Sequence, residues 1–211
     1  VLELYLPMSS CPTRHRLTDL ASCGAIRAAG RSILVHPRMP GARVLDAARL
    51  HVTEGARLVQ ARGTIQDIRR RIAGAFTVRT GALLDDALVL ATLYATVARQ
   101  PLLRVRLERI VTDSCRKFHV DHVGLRLLCA YLGPGVQWTA DDGATIGQAE
   151  TGAVVLLKGR RFPNWTEEHG VLHRSPPLSA LPVTERMRLL LTVDAADACG
   201  GADDGPVTVA A

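Results

Sequence analysis

The sequence predicts an α+β protein with a mainly β core, a sandwich or barrel against which helices from the N-terminal part pack on the outside. Three observations carry that expectation. Residues 64–99 hold apolar side chains at helical spacing. From Leu102 the texture changes to short segments rich in branched residues, divided by Gly and Pro. Seven such segments fit within about ninety residues, a density that suits short strands joined by tight turns.

Residues 1–43 carry Pro7, Pro12, Pro37 and Pro40 among scattered Arg, and read as a loosely structured lead-in holding one short strand, Ser32 to His36. A single globular domain follows over residues 44–194, with a helical part at 64–100 and a β core at 102–194. Thr64 and Asp67 form a capping-box pattern, and Ile65, Ile68 and Ile72 share a helix face, which predicts a helix over 64–74. Leu84, Leu88, Ala91, Tyr94 and Ala95 predict a second over 81–99, with Asp85 and Asp86 in its first turn. The strands expected are Leu102–Thr112, Lys117–Asp121, Leu125–Leu132, Gly135–Thr139, Ala153–Lys158, Gly170–Arg174 and Met187–Asp194. Gly133-Pro134-Gly135 and Asp142-Gly143 supply turns between them, and Pro176-Pro177 stops the sixth. Residues 195–211 are small, Gly-rich and acidic, and read as a disordered tail.

Composition narrows the function classes. The net charge is +6, but 24 of the 26 basic residues are Arg and none interleaves with aromatics in a stacking pattern, so no nucleic-acid partner is expected. Five Cys at irregular spacing, without Cys-x-x-Cys, argue against a disulfide framework and for a reducing compartment. The apolar run from Ala87 to Ala98 is too short to span a bilayer, and the expectation is a soluble cytoplasmic protein with no membrane partner. Neither a Gly-x-Ser-x-Gly elbow, a phosphate-binding loop nor a dinucleotide fingerprint occurs.

The chemistry lies in Phe118-His119-Val120-Asp121, read with Leu172-His173-Arg174 about fifty residues later. On a strand, residues two apart project from one face, so His119 and Asp121 point together. If His173 returns on a neighbouring strand, the three form the two-histidine, one-carboxylate set that holds mononuclear iron with open positions for a cosubstrate and dioxygen. A cosubstrate carboxylate needs a fixed cation, and Arg186 and Arg188 share a face of the final strand. Two alternatives stand beside iron(II): a buried, hydrogen-bonded polar cluster, and zinc(II) held with help from Cys115.

The order of His-x-Asp, Leu-Arg-Leu-Leu-Cys-Ala-Tyr-Leu, Thr-Gly-Ala-Val-Val-Leu-Leu-Lys-Gly, His-Arg-Ser-Pro-Pro and Arg-x-Arg-Leu-Leu-Leu resembles the core of the iron(II)/2-oxoglutarate dioxygenases, particularly the prolyl-hydroxylase-like branch. The resemblance covers residues 102–194 and implies a double-stranded β-helix, cupin-like or jelly-roll-like. It also implies metal ligands at His119, Asp121 and His173, and 2-oxoglutarate contacts at Tyr131 and at Arg186 or Arg188. Arg186, thirteen residues after His173, fits the usual spacing better. The implied partners are a small-molecule cosubstrate and a substrate.

At closer range, Asp113-Ser114-Cys115-Arg116-Lys117-Phe118-His119-Val120-Asp121, Tyr131-Leu132-Gly133-Pro134-Gly135 and Leu156-Leu157-Lys158-Gly159 look like the bacterial family catalogued as domain of unknown function 1826. Members of that family tend to lie near zinc-homeostasis genes. The resemblance therefore keeps zinc as the competing metal, and a non-enzymatic cupin-like metal-binding protein as the competing function.

Overall fold

Strands with one apolar face must have that face covered, and this demand organises the chain. The computed structural model describes residues 21–198. Within them β1 (Ile33–His36), β2 (Leu58–Gly63), β3 (Leu103–Ile110), β4 (Leu125–Leu132), β5 (Gln137–Thr139), β6 (Gly147–Gln148), β7 (Val154–Lys158), β8 (Leu172–Arg174) and β9 (Arg188–Ala195) form two antiparallel sheets. The larger has the order β1-β7-β4-β9-β3-β2 and the smaller β6-β5-β8. Helices α1 (Ala42–Glu54), α2 (Ile65–Ile72) and α3 (Gly81–Ala98) cover one face of the larger sheet.

Alternation along each strand assigns its side chains to one of two layers. Leu103, Val105 and Leu107 of β3, Leu125, Leu127 and Cys129 of β4, and Leu189, Leu191 and Val193 of β9 join the helices in the main core. β7 is buried on both faces: Val154 and Leu156 enter that core, while Val155 and Leu157 join Leu128, Val136 and Val171 between the sheets. The opposite positions of β3, Arg104, Arg106 and Glu108, line a cavity on the far side of the larger sheet.

The expected helices form, and α2 begins on its capping box, with Asp67 N–H donating to Thr64 Oγ1 at 3.2 Å and Thr64 N–H to Asp67 Oδ2 at 3.1 Å. α3 is long and apolar enough to cross a membrane by length and composition, yet 61% of it is buried here, with Leu83, Leu90 and Ala91 sealed against the sheet. Asp86 is not a first-turn capping charge. It is buried, and receives Arg38 Nη2 at 2.7 Å and the Tyr131 hydroxyl at 2.7 Å.

Four local expectations are corrected. Residues 21–43 are structured rather than loose: a 3-10 helix at Ala21–Arg27 buries Cys23 and Ile26, and β1 pairs along β7. α1, β2 and β6 were not anticipated; α1 has no side-chain N-cap, and its buried stripe is Val44, Ala47, Ala48 and His51, small or polar residues that give a weak periodic signal. Lys117–Asp121 is not a strand but a single bridge at His119. At the C-terminus, β9 runs to Ala195 and Ala198 is buried, held by Arg62 donating to its carbonyl. The rest of the expected lead-in and tail lies outside the described residues.

Candidate metal centre

His119 and His173 face each other across two backbone hydrogen bonds, His119 N to His173 O at 3.0 Å and His173 N to His119 O at 2.9 Å. Directly opposed residues of an antiparallel pair project to the same face, which sets the two imidazoles 4.7 Å apart between centroids. The bridge is brief because Cys115, in the left-handed region at φ 54°, turns the chain just before it. Asp121 is positioned by its carbonyl, which accepts Arg160 N–H at 2.9 Å. This approach needs Gly159, where a Cβ would stand 2.6 Å from Asp121 O.

One ligand atom from each of His119, Asp121 and His173 lies within 4.8 Å of the other two. Asp121 Oδ1 is 3.5 Å from His119 Nε2, and Oδ2 is 3.0 Å from His173 Nε2. Metal bonds of about 2.1 Å at right angles place neighbouring donors about 3 Å apart, so the three atoms already stand near the corners of one face of an octahedron. His119 Nδ1 sits 2.8 Å from Lys117 O. A carbonyl only accepts, so Nδ1 carries the proton and Nε2 keeps its lone pair toward the site.

Electrostatics test whether a cation fits. Asp121 Oδ2 is buried without an aligned hydrogen-bond donor, although His173 Nε2 and Arg126 Nη1 approach it at 3.0 and 2.6 Å. Burial alone would raise the Asp121 carboxyl, but His119, His173 and Arg126 outweigh it and hold it well below the usual carboxylate range. Contact with Asp121, opposed by burial, raises His119. An ionised carboxylate with one unmet oxygen beside two imidazoles fits a divalent metal; displacing the imidazole protons would leave Asp121 shared between the ion and Arg126. Arg126 is aimed by Asp194, which accepts its Nε at 2.7 Å and Nη2 at 2.8 Å. Sequence reasoning missed this Arg–Asp pair. Its signal was a charged residue on each of two otherwise apolar strands, Leu125-Arg126-Leu127 and Thr192-Val193-Asp194.

The three candidate ligands line a cavity of about 350 Å³ together with Arg188 and with Arg104 and Arg106 of β3. Arg188 is 1% exposed and donates to Pro134 O at 2.7 Å and Ser175 Oγ at 3.0 Å; among the described residues no carboxylate pairs with it. Burial pulls its guanidinium down to about 10, which still leaves it charged at neutral pH. Its aliphatic stem packs on Gly133, at φ +75°, where a Cβ would meet Arg188 Cγ at 3.0 Å and Met187 O at 2.1 Å.

Two expected cofactor contacts are not at the cavity. Arg186 is exposed and donates to Leu181 O at 2.9 Å, because a 3-10 turn over Val183–Glu185 delays the final strand until Arg188. The expected order of preference between these arginines is thus reversed. Tyr131 lies on the helix side of β4, fully buried on Asp86. Cys115 lines the cavity but stands outside the three-residue cluster.

Solved structures with related architecture bear on the fold. A prolyl-4-hydroxylase from Pseudomonas putida is similar over 83% of this chain and 97% of its own, at 11% identity and a TM-score of 0.51. A bsmA homolog from Methylobium petroleophilum aligns over 83% of this chain and 92% of its own, at 15% identity and a TM-score of 0.46. A full-length Neurospora crassa protein in complex with alpha-KG aligns over 89% of this chain and 80% of its own, at 12% identity and a TM-score of 0.45. The two-sheet core is the double-stranded β-helix that the resemblance implied. No curated protein matches the chain significantly. A family model, described as protein of unknown function (DUF1826), matches residues 19–194 and so takes in both sheets, the three helices and every residue of the candidate centre: the chain belongs to that family.

Proposed function

We propose that this chain is an iron(II)- and 2-oxoglutarate-dependent oxygenase acting on a small molecule, with the metal held by His119, Asp121 and His173. The observation that carries the reading is the shared cavity: three convergent donors and a buried arginine without a carboxylate partner line one space. A buried cation of this kind calls for an anion, and a dicarboxylate that chelates the metal at one end supplies a second carboxylate to Arg188. The donor set, two imidazoles and a carboxylate with no thiolate in the cluster, suits iron(II) better than structural zinc.

Each residue then has a task. Arg188, oriented by Ser175 Oγ and Pro134 O, clamps the distal carboxylate of 2-oxoglutarate. Arg126, fixed by Asp194, holds Asp121 so that its free oxygen faces the ion. The Lys117 carbonyl keeps His119 in the tautomer that ligates through Nε2. Leu128, Val136 and Leu190 on the cavity wall exclude water around the reacting centre. Bound iron(II) supplies the redox chemistry that couples oxidative decarboxylation of 2-oxoglutarate to oxygenation of the substrate.

Anaerobic addition of iron(II) and 2-oxoglutarate should give a weak charge-transfer absorbance, absent in His119→Ala and His173→Ala, and admission of air should give slow succinate formation. A wild-type protein that shows neither band nor succinate ends the reading. If that protein instead retains one equivalent of zinc through purification, the non-enzymatic metal-binding alternative takes its place.

A further inference from the structure

The cavity is more positive than a metal and 2-oxoglutarate require. Arg104, Arg106, Arg126, Arg174 and Arg188 line it against Glu108 and Asp121, with Asp194 behind Arg126, which leaves a surplus of two positive charges when the histidines are neutral. A dication and the dianion of 2-oxoglutarate cancel, so the loaded site keeps that surplus. Three of the arginines already have roles or close partners: Arg188 lies at the buried end, Arg126 bridges Asp121 and Asp194, and Arg174 stacks on Phe118 at 4.3 Å and donates to Gln137.

Arg104 and Arg106 differ in setting. They sit two apart on β3, so both side chains project from the cavity face with Cα atoms about 7 Å apart. Both are half-buried. Their side-chain contacts include Gln60 at 3.4 Å for Arg104 and Glu108 at 2.6 Å for Arg106. Their strand partners on β9, Asp194 and Thr192, belong to the row that meets Arg126 beside the metal ligands. Two guanidiniums on one face, at this spacing, can donate from both sides to a single tetrahedral oxyanion.

We propose that the substrate of this site carries a phosphate group, read by Arg104 and Arg106. The proposal rests on the oxygenase reading above for the word substrate, while the anion site itself does not. A phosphate monoester carries about −2 near neutral pH and matches the surplus, whereas one carboxylate matches half of it.

The test is calorimetric titration of inorganic phosphate, with sodium acetate as the second probe, into the metal-free full chain at low salt. Wild type and Arg188→Met should bind about one equivalent of phosphate, and R104Q/R106Q should bind it at least about tenfold more weakly, the scale of losing charge-assisted hydrogen bonds. R104K/R106K, which keeps the charge and loses the fork geometry, should fall between them and guards against a folding defect in the glutamine pair. The proposal is overturned if wild type shows no saturable phosphate binding, if the loss occurs in Arg188→Met instead, or if acetate binds as tightly as phosphate. A parallel titration of 2-oxoglutarate into iron-loaded protein should show the opposite dependence, lost in Arg188→Met and kept in R104Q/R106Q; failure of that arm alone sinks the oxygenase reading and leaves the phosphate site standing.

Discussion

Replacing Arg188 by methionine should make the ligand-free protein more stable while abolishing 2-oxoglutarate binding. Arg188 is 1% exposed and donates only to a carbonyl and a hydroxyl. Burial lowers its guanidinium to about 10. At 1.36 kcal/mol per pKa unit the lost solvation of the charged form is of order 3 kcal/mol. Against this stand the two hydrogen bonds, roughly 1 kcal/mol each, with the Pro134 carbonyl left to find water. Methionine matches the length of the stem and returns some apolar burial, so the net gain should be about 1–2 kcal/mol, within the range found when buried ions give way to apolar side chains.

For a chain of 211 residues, that corresponds to a melting temperature raised by about 2–8 °C. Thermal melting with and without iron(II) and 2-oxoglutarate reads both halves at once. The wild type should gain stability from the cosubstrate, by about 2.7 kcal/mol at a hundredfold excess over Kd, and Arg188→Met should gain none. A variant that melts well below the wild type without ligands would refute the reasoning, because Arg188 would then be a net structural asset rather than a charge held for a ligand.

Two further outcomes follow from the same geometry. Arg126→Met strands Asp194, 1% exposed, and should lower stability by about 3–5 kcal/mol and weaken metal binding ten- to a hundredfold, whereas R126M/D194L should regain most of the stability and none of the affinity; equal metal binding in all three proteins would exclude Arg126 from orienting Asp121. His51 is buried with both ring nitrogens unpaired, and burial lowers its pKa. The unfolded chain then takes up a proton near pH 6.5 that the folded chain resists, so this group costs stability as pH falls below about 6.5, by up to about 1.4 kcal/mol per pH unit. His51→Leu should flatten that acid limb in urea melts between pH 7 and 5, and an unchanged slope would count against it.

Elements whose apolar side chains are large announced themselves. β3, β4, β7 and β9 alternate or run apolar with Leu, Val and Ile, and α2 and α3 carry a capping box and a Leu-rich face. α1 and β2 are equally part of the core, but they fill it with Val44, Ala47, Ala48, His51, Val59 and Ala61. Small residues and a histidine weigh little in any hydropathy pattern, because what buries them is the shape of the neighbouring layer. The same holds for residues 21–43, where two buried side chains, Cys23 and Ile26, and four strand residues carry the packing of a segment that prolines make look irregular.

At the site, identity was legible and direction was not. His119, Asp121 and His173 are of types that rarely gather by chance, and their strand context pointed them at one another. Choosing between Arg186 and Arg188 depended instead on where β9 begins, and a single 3-10 turn decides whether a side chain meets solvent or a sealed cavity. Period-two logic fails at a strand's first residue, since the alternation has no register until the ladder starts. Arg188 pairs with Ile110 at the first rung, and its inward course is set there, by Gly133 leaving room for its stem and by Pro134 and Ser175 receiving its donors. Tyr131 illustrates the converse: it sits well inside β4, where register is firm, and it alternates with Leu127 and Cys129 onto the helix side, so its hydroxyl serves Asp86 rather than a cosubstrate. A polar residue's type thus nominates a site, but the strand's first hydrogen-bonded pair determines which nominees can reach it.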